Sequence, residues 1–393
     1  MMRVLFVDDE AQILQGLRRT LRVMRKEWDM IFCDTAEAAL QEMRAQPVDV
    51  VVSDIRMPVV DGLALLTTVR EEFPDTVRIA LSGHSGCEMQ CAMVAQQFIS
   101  KPAEVETLKG AIERARVLRS QLRSDAMREV VGGMSTLPSP PEIYQRVMAE
   151  ATSESGTLAR VGEIIDEDVG MSAKVLQLVN SAFFGIPRRI ESVRQAATLL
   201  GFEVLRGLVL SEGFFRGHDA DTLGGLDIAQ LARDSQEVSA YARVVGRSIG
   251  LKRSLVDQAS MAGKLHNVGK LVLAKAFPER YANVISAIGE GAGFSFAEEV
   301  EFGCAHPMVG GYLLGVWGLP DIIVEAVTLH NAPALAEPCE RGLVLSVHLA
   351  QCWREAQSGD LKPLDAMDEP FVSGLLSQAE IAKVWTDLEQ LEA

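Results

Sequence analysis

Five polar residues stand where short apolar runs end, and together they could carry out phosphoryl chemistry. Asp8 and Asp9 follow the run Val4–Val7, and Asp54 follows Val48–Ser53. Ser82 follows Val77–Leu81, and Lys101 follows Gln97–Ser100. Three carboxylates drawn together repel one another and need a cation. All-oxygen ligation with room for water suits Mg²⁺. Asp54 could then attack a phosphoryl group as a carboxylate nucleophile. Mg²⁺ and Lys101 would neutralise charge on the transferring oxygens, and Ser82 would donate a hydrogen bond to the new phosphate. Taken singly, each residue reads as a polar strand end facing solvent. The five together, at successive strand ends, read as a site.

The elements that must position them follow from the alternation of the text. Apolar runs, including a further one at Met30–Cys33, are interleaved with helical spacing at Ile13–Met24, Ala36–Ala45, Gly62–Glu72, Glu88–Ala95 and from Val105 onward. Strands apolar on both faces imply a parallel sheet covered on both sides. Five such units predict an α/β doubly wound, five-stranded domain over residues 1–123, with function at the carboxyl ends of its strands. A helix is expected through 104–130. Its stripe Leu108, Ala111, Ala115, Leu118 and Leu122 suits packing on its own domain or a coiled coil joining two copies as a possible homodimer. Gly132-Gly133 and Leu137–Pro141 interrupt helical text and mark a boundary, with 124–136 as helical linker. Beyond it the text predicts an all-α domain over 137–357, then a helical extension over 358–393. Helical segments are expected at 142–155, 158–167, 171–183, 192–200, 202–215, 227–249, 254–276, 278–288, 305–316, 319–329, 341–357 and 377–391.

Bulk properties restrict the partners. Formal charge is −16 over 393 residues, which opposes an indiscriminate grip on nucleic acid. No basic helix-turn-helix and no Lys/Arg stripe is visible in the helical half, so direct DNA binding is not expected. The opening MMRVLFVDDE does not read as a signal peptide. No apolar run reaches the roughly 18 residues of a spanning helix, so no membrane association is expected. The six cysteines are scattered and read as buried thiols in a reducing cytoplasm rather than zinc ligands.

The motifs VDDE (7–10), DIRMPVVDG (54–62), LSG (81–83) and FISKP (98–102) resemble those of response-regulator receiver domains, which are flavodoxin-like, over about residues 2–122. The resemblance implies that Asp54 is the phosphoacceptor for a sensor histidine kinase. It implies that Asp9, Asp54 and the backbone carbonyl of Arg56 ligate Mg²⁺, with Asp8 supporting partly through water. Ser82 takes the switch-hydroxyl position, Phe98 the aromatic switch position, and Lys101 precedes a Pro expected to be cis. Lys101 follows Ser82 by 19 positions, fewer than is usual, so Gly86–Gln97 is expected to form a shortened helix or a loop.

The segment LHNVGK (265–270) resembles the His-Asp core of HD phosphohydrolases, whose ligands are His, His-Asp and Asp. Here His266 matches, Asn267 replaces the Asp, and Asp234 and His348 stand nearest the two outer ligands. The flanks LPSPPEIYQRVM (137–148), DEDVGMSAKVLQLVNSAFFG (166–185), SVRQAATLLG (192–201) and CAHPMVGGYLLGVWGLPDIIVEAV (304–327) resemble HDOD, the HD-related output domain. HDOD domains commonly lack a full ligand set, so no hydrolase activity is implied and no HDOD cofactor is expected. His306 and His330 match positions that are often His in the group and are expected to be structural. The expected function is a response regulator with a non-enzymatic, protein-binding output for an unknown protein partner. The alternative is a receiver-gated, metal-dependent phosphohydrolase acting on nucleotides.

Overall fold

The computed structural model describes residues 1–82, 94–101, 103–122, 124–134, 136–139, 141–153, 155–180, 190–210, 216–217, 222–338, 340–358 and 367–392. Five strands form one parallel sheet: β1 Met2–Val7, β2 Trp28–Cys33, β3 Val50–Asp54, β4 Val77–Ser82 and β5 Gln97–Ser100, in the order β2-β1-β3-β4-β5. Every residue of β3 is buried, as a central strand covered on both faces requires. Register pairs Val7 with Ser53, Asp54 with Leu81 and Ser82 with Ser100, so the carboxyl ends stand level. Helix α1 Ala11–Thr20 follows β1, and helices α2 Ala36–Ala45 and α3 Gly62–Glu72 pack on the sheet. Thr35 and Asp61 start α2 and α3 by accepting from Ala38 N and Ala64 N. The shortened helix or loop expected at Gly86–Gln97 falls largely outside the described residues, as does Pro102.

The helix expected through 104–130 is two helices, α4 Val105–Gln121 and α5 Asp125–Gly133. Leu122 leaves helical geometry, and the Ser124 hydroxyl caps the second helix by accepting from Met127 N. Competition from this local cap ends the first helix although the apolar spacing runs on. The stripe on α4 does not face a second copy. Leu108, Ala111, Ala115, Leu118 and Leu122 are all buried within the chain. There α4 packs against a helix of the second half.

That half contains α6 Pro141–Thr152, α7 Leu158–Asp166, α8 Val169–Asn180, α9 Val193–Leu200, α10 Phe202–Leu210, α11 Ile228–Ser248, α12 Arg253–Leu265, α13 Val268–Ala276, α14 Pro278–Gly289, α15 Phe294–Phe302, α16 His306–Val316, α17 Asp321–Leu329, α18 Arg341–Ser358, α19 Glu369–Ser373 and α20 Gln378–Glu392. Among the described residues, two-residue strand pairs are all that interrupt it. The short helix α15 lies between the expected segments 278–288 and 305–316, and α19 lies within the expected helical extension ahead of 377–391. The segment expected as one helix over 254–276 breaks at His266-Asn267. Asn267 there adopts φ −93°, ψ 5°, which turns the chain between α12 and α13. Gly269 lets α13 cross α16 at close range: a Cβ would stand 2.0 Å from the His306 carbonyl oxygen. Most of the NSAFFG block lies outside the described residues, but Asn180 is placed. Its amide accepts from Ile190 N at 2.6 Å and donates to Ile190 O at 2.7 Å. Cys33 and Cys352 are buried and Cys304 half-buried, each outside any disulfide. Cys87, Cys91 and Cys339 lie outside the described residues.

The two halves are joined through named contacts. Gln97, on β5, donates from Nε2 to Val316 O at 3.0 Å. Gln177, on α8, donates to Gln96 O at 3.0 Å. Arg114, on α4, pairs with Asp321 at 2.8 Å. Gly315 makes room for Leu118, whose Cδ1 would lie 2.5 Å from an added Cβ. Each leucine buried in this seam contributes roughly 1.5–3 kcal/mol.

Candidate functional site

At the carboxyl edge of the sheet, Lys101 Nζ lies 2.7 Å from Asp8 Oδ2 and 3.0 Å from Asp54 Oδ2. Asp8 is 1% exposed and Asp54 7%, whereas Asp9 is exposed. Ligand oxygens of Asp8, Asp9 and Asp54 all lie within 4.8 Å of one another. The remaining carboxylate oxygens are fixed by the backbone. Asp8 Oδ1 accepts from Glu10 N at 2.9 Å, and Asp54 Oδ1 accepts from Ile55 N at 2.8 Å. Burial opposes the charge on Lys101, but its hydrogen bonds to Asp8 and Asp54 outweigh burial and hold its pKa above the ordinary lysine value. The arrangement can hold a divalent cation and a phosphoryl group against one carboxylate.

Two residues of the loop after Asp54 set its shape. Gly62 is obligatory: a Cβ there would stand 1.8 Å from Asp54 O, and Gly62 N donates to Ile55 O at 2.8 Å. Val59 has φ 69° and is 98% exposed. A β-branched side chain is strained in the left-handed region and gains no burial here. Val59→Gly should therefore stabilise the protein by about 1 kcal/mol, read as a higher midpoint in urea; an unchanged or lower midpoint would show the loop to be unstrained. Arg56 is exposed in the same loop. Phe98 is buried at 2% exposure. Ser82 ends β4 level with Ser100, and its side chain lies outside the described residues.

The residues expected at a degenerate metal site do not converge. Asp234 forms an ion pair with Arg354 and accepts from Gln230 Nε2 at 2.8 Å. Arg354 also pairs with Glu237. His348 uses both ring nitrogens: Nδ1 contacts His330 O at 2.8 Å, and Nε2 accepts from Asp368 N at 2.9 Å. His266 contacts Gly263 O through Nδ1 at 2.6 Å, while its Nε2 and Asn267 Oδ1 are buried without hydrogen-bond partners. Among the described residues, the acidic trio of the sheet is the one group of three or more potential ligands within 4.8 Å.

His306 and His330 instead join His266 in a buried imidazole cluster. The His266–His330 ring centroids are 5.1 Å apart and those of His306–His330 5.7 Å. Burial, then the nearby Lys270, pushes His266 down to about 3, and burial also lowers His306 and His330. Glu298 was not singled out from sequence. It is fully buried and accepts from His306 N at 2.7 Å and Tyr281 OH at 3.0 Å, and its Oε2 lies 2.6 Å from His306 Nδ1. No spacing in FAEEVEF distinguishes it from its acidic neighbours. Only the tertiary meeting of α15 with α16 does so.

With this geometry in place, comparison with known proteins identifies the class. The HDOD domain model matches residues 137–333 and the response regulator receiver domain model residues 4–113. The chain belongs to the HDOD family and is a response regulator with an N-terminal receiver. The structure of the MmoQ response regulator from Methylococcus capsulatus is similar, with a TM-score of 0.50, 21% identity, 63% of this chain and 97% of that one. So is that of a virulence factor from Campylobacter jejuni, with a TM-score of 0.51, 17% identity, 70% of this chain and 95% of that one. Both likenesses concern the fold. The hydrogenase transcriptional regulatory protein HoxA of Cupriavidus necator is 36% identical over 118 residues, covering 28% of this chain and 24% of its own length. The DNA-binding transcriptional regulator NtrC of Proteus hauseri is 28% identical over 167 residues, 40% of this chain and 34% of its own. The chain thus spans only about a quarter to a third of these two curated relatives. No helix among the described residues is long and apolar enough to cross a membrane.

Proposed function

We propose that a sensor histidine kinase phosphorylates Asp54 and that this modification controls a non-catalytic, protein-binding surface on the HDOD half. The observation that carries the reading is Lys101 bridging Asp8 and Asp54 at level strand ends. Asp9, Asp54 and the Arg56 carbonyl would hold Mg²⁺, which when bound screens charge on the phosphoryl oxygens. Asp54 supplies the nucleophilic oxygen, Ile55 N–H orients its other oxygen, and Lys101 is placed to receive the new phosphate. Phosphorylation adds roughly −1.5 to −2 charge. Lys101 would then exchange a carboxylate partner for a phosphoryl one, and Ser82 and Phe98 would follow. Phe98 neighbours Gln97, whose side chain holds Val316 O, so a shift of β5 acts directly on α16. The population of docked and undocked halves is the proposed output.

The test is to incubate the protein with Mg²⁺ and acetyl phosphate and weigh it. One added phosphoryl group is expected, absent in Asp54→Asn. A gain that survives that substitution, or no gain at all, refutes the assignment.

The phosphohydrolase reading draws support from one observation, the orphaned Nε2 atoms of His266 and His330. Against it, Asp234 is committed to Arg354 and Asn267 brings no charge. Stoichiometric metal in purified protein, with nucleotide turnover lost in His266→Ala, would reverse the preference.

A further inference from the structure

Arginines that lie far apart in sequence meet at one cleft of the helical half. Arg243 and Arg247 stand one turn apart on α11, Arg253 is the first residue of α12, and Arg194 is the second residue of α9. The cleft measures about 630 Å³. None of the four forms an ion pair with a carboxylate among the described residues. Elsewhere in this half, Arg146, Arg160, Arg280 and Arg354 all pair with carboxylates. Such an unneutralised group is unexpected in a chain of net charge −16, where acidic partners are plentiful. Like charges four apart on a helix also disfavour it.

Other groups raise the positive potential further. Ser192 caps the N-terminus of α9 and Arg253 opens α12, so two helix N-termini border the cleft. Of the remaining charged lining residues, Lys264 is matched by Asp166, with Nζ 2.5 Å from Oδ1, and Asp257 is a lone carboxylate. On the floor, Ser239 donates to Ser260 O at 2.8 Å, and Ser260 Oγ accepts from Arg243 at 3.1 Å. Arg243 has four further N–H donors to offer.

We propose that this cleft binds a small polyphosphorylated ligand of the nucleoside-polyphosphate class through Arg194, Arg243, Arg247 and Arg253. The planar guanidinium matches phosphoryl oxygens two at a time. The volume lies in the range of small-molecule sites. A nucleic-acid polymer fits less well, because the cationic surface is confined to a cleft and the net charge of the chain repels a polyanion at longer range. The proposal stands apart from phosphorylation of Asp54, which lies in the other half.

The experiment is isothermal titration of the full chain, without Mg²⁺, with sodium pyrophosphate, ATP, inorganic phosphate and a short DNA duplex as separate probes. Saturable one-site binding of pyrophosphate and ATP is expected. It should weaken at least tenfold in the double variant Arg243→Gln/Arg247→Gln and stay unchanged in Arg280→Gln. Equal affinity for the two probes would mean that phosphoryl groups alone are read, and tighter ATP binding would add nucleoside contacts; either supports the proposal. A thermal melt of the double variant at or above the parent midpoint excludes loss of fold, because both side chains are exposed and mutually repulsive. Binding unaffected by the double substitution, no binding of either probe, inorganic phosphate bound as tightly as pyrophosphate (an adventitious ion only), or duplex bound more tightly than ATP would each overturn it.

Discussion

Replacing Arg78 with Met should cost the folded protein about 3 kcal/mol and loosen the two halves from one another. Arg78 is the second residue of β4, at 2% exposure, where a strand reading would place an aliphatic side chain. Its guanidinium donates to Val94 O at 2.7 Å, Thr76 O at 3.1 Å and Gly132 O at 2.6 Å. Burial pushes its pKa down to about 9, which leaves it charged at neutral pH. The last of the three carbonyls belongs to the end of α5. Gln96 reaches the same carbonyl at 3.3 Å, accepts from Arg78 N at 2.6 Å, and takes Gln177 Nε2 on its own carbonyl at 3.0 Å. One buried cation therefore ties the sheet to the linker helix, beside the Gln96–Gln177 contact with the helical half. Methionine keeps most of the volume, so the loss is of hydrogen bonds and leaves carbonyls without donors in a dry place. Urea unfolding gives the free energy, and hydrogen exchange at Val131–Gly133 reports the undocking. A midpoint equal to the parent's, with unchanged exchange there, would show that the guanidinium does not hold the seam.

The acidic edge of the sheet was legible because its physics is local. A parallel strand buried on both faces permits polar residues only at its end, so Asp8, Asp54 and Lys101 advertised themselves by where the apolar text stops. The seam was not legible in the same way. The stripe Leu108–Leu122 announces a buried face but cannot say what covers it; a second copy and α16 present the same chemistry. Arg78 reads as an error in a strand until Gly132 is brought beside it. The helical half shows a similar limit. The imidazoles were visible as residues, but their tautomer partners, Glu298 and the carbonyls of Gly263 and Val327, are set by packing. The arginine cleft escaped for the reason that no single segment carries it. Three helices contribute, and an absent Lys/Arg stripe in the text does not preclude a cationic cleft in the fold.

Lys174→Met should make the protein more stable at pH 6 by up to about 4 kcal/mol, with the gain shrinking as pH rises. Lys174 lies on α8, 2% exposed, with Nζ 5.3 Å from the centre of the Trp317 ring. Burial, and then the charge of Arg70 across the seam, pushes its pKa down to about 7. In the unfolded chain it titrates near the ordinary value of about 10.4. Below pH 7 the lysine is charged in both states, and the folded state bears the full cost. Between about 7 and 10 the folded lysine is neutral while the unfolded one still binds a proton, so stability climbs with pH. A cation over an aromatic face contributes at most about 2 kcal/mol, so the Trp317 contact by itself offsets only part of this. Other groups set the background: the lowered histidines act below about pH 6.5, and the raised thiols of Cys33 and Cys304, near 11, act above about pH 9. Measuring unfolding free energies of parent and variant from pH 6 to 9 cancels that background. The gap should close by roughly 1.4 kcal/mol per pH unit above pH 7. A gap that is flat with pH, or a variant less stable at pH 6, would mean that Lys174 stays protonated in the fold and that its charge helps hold the two halves together.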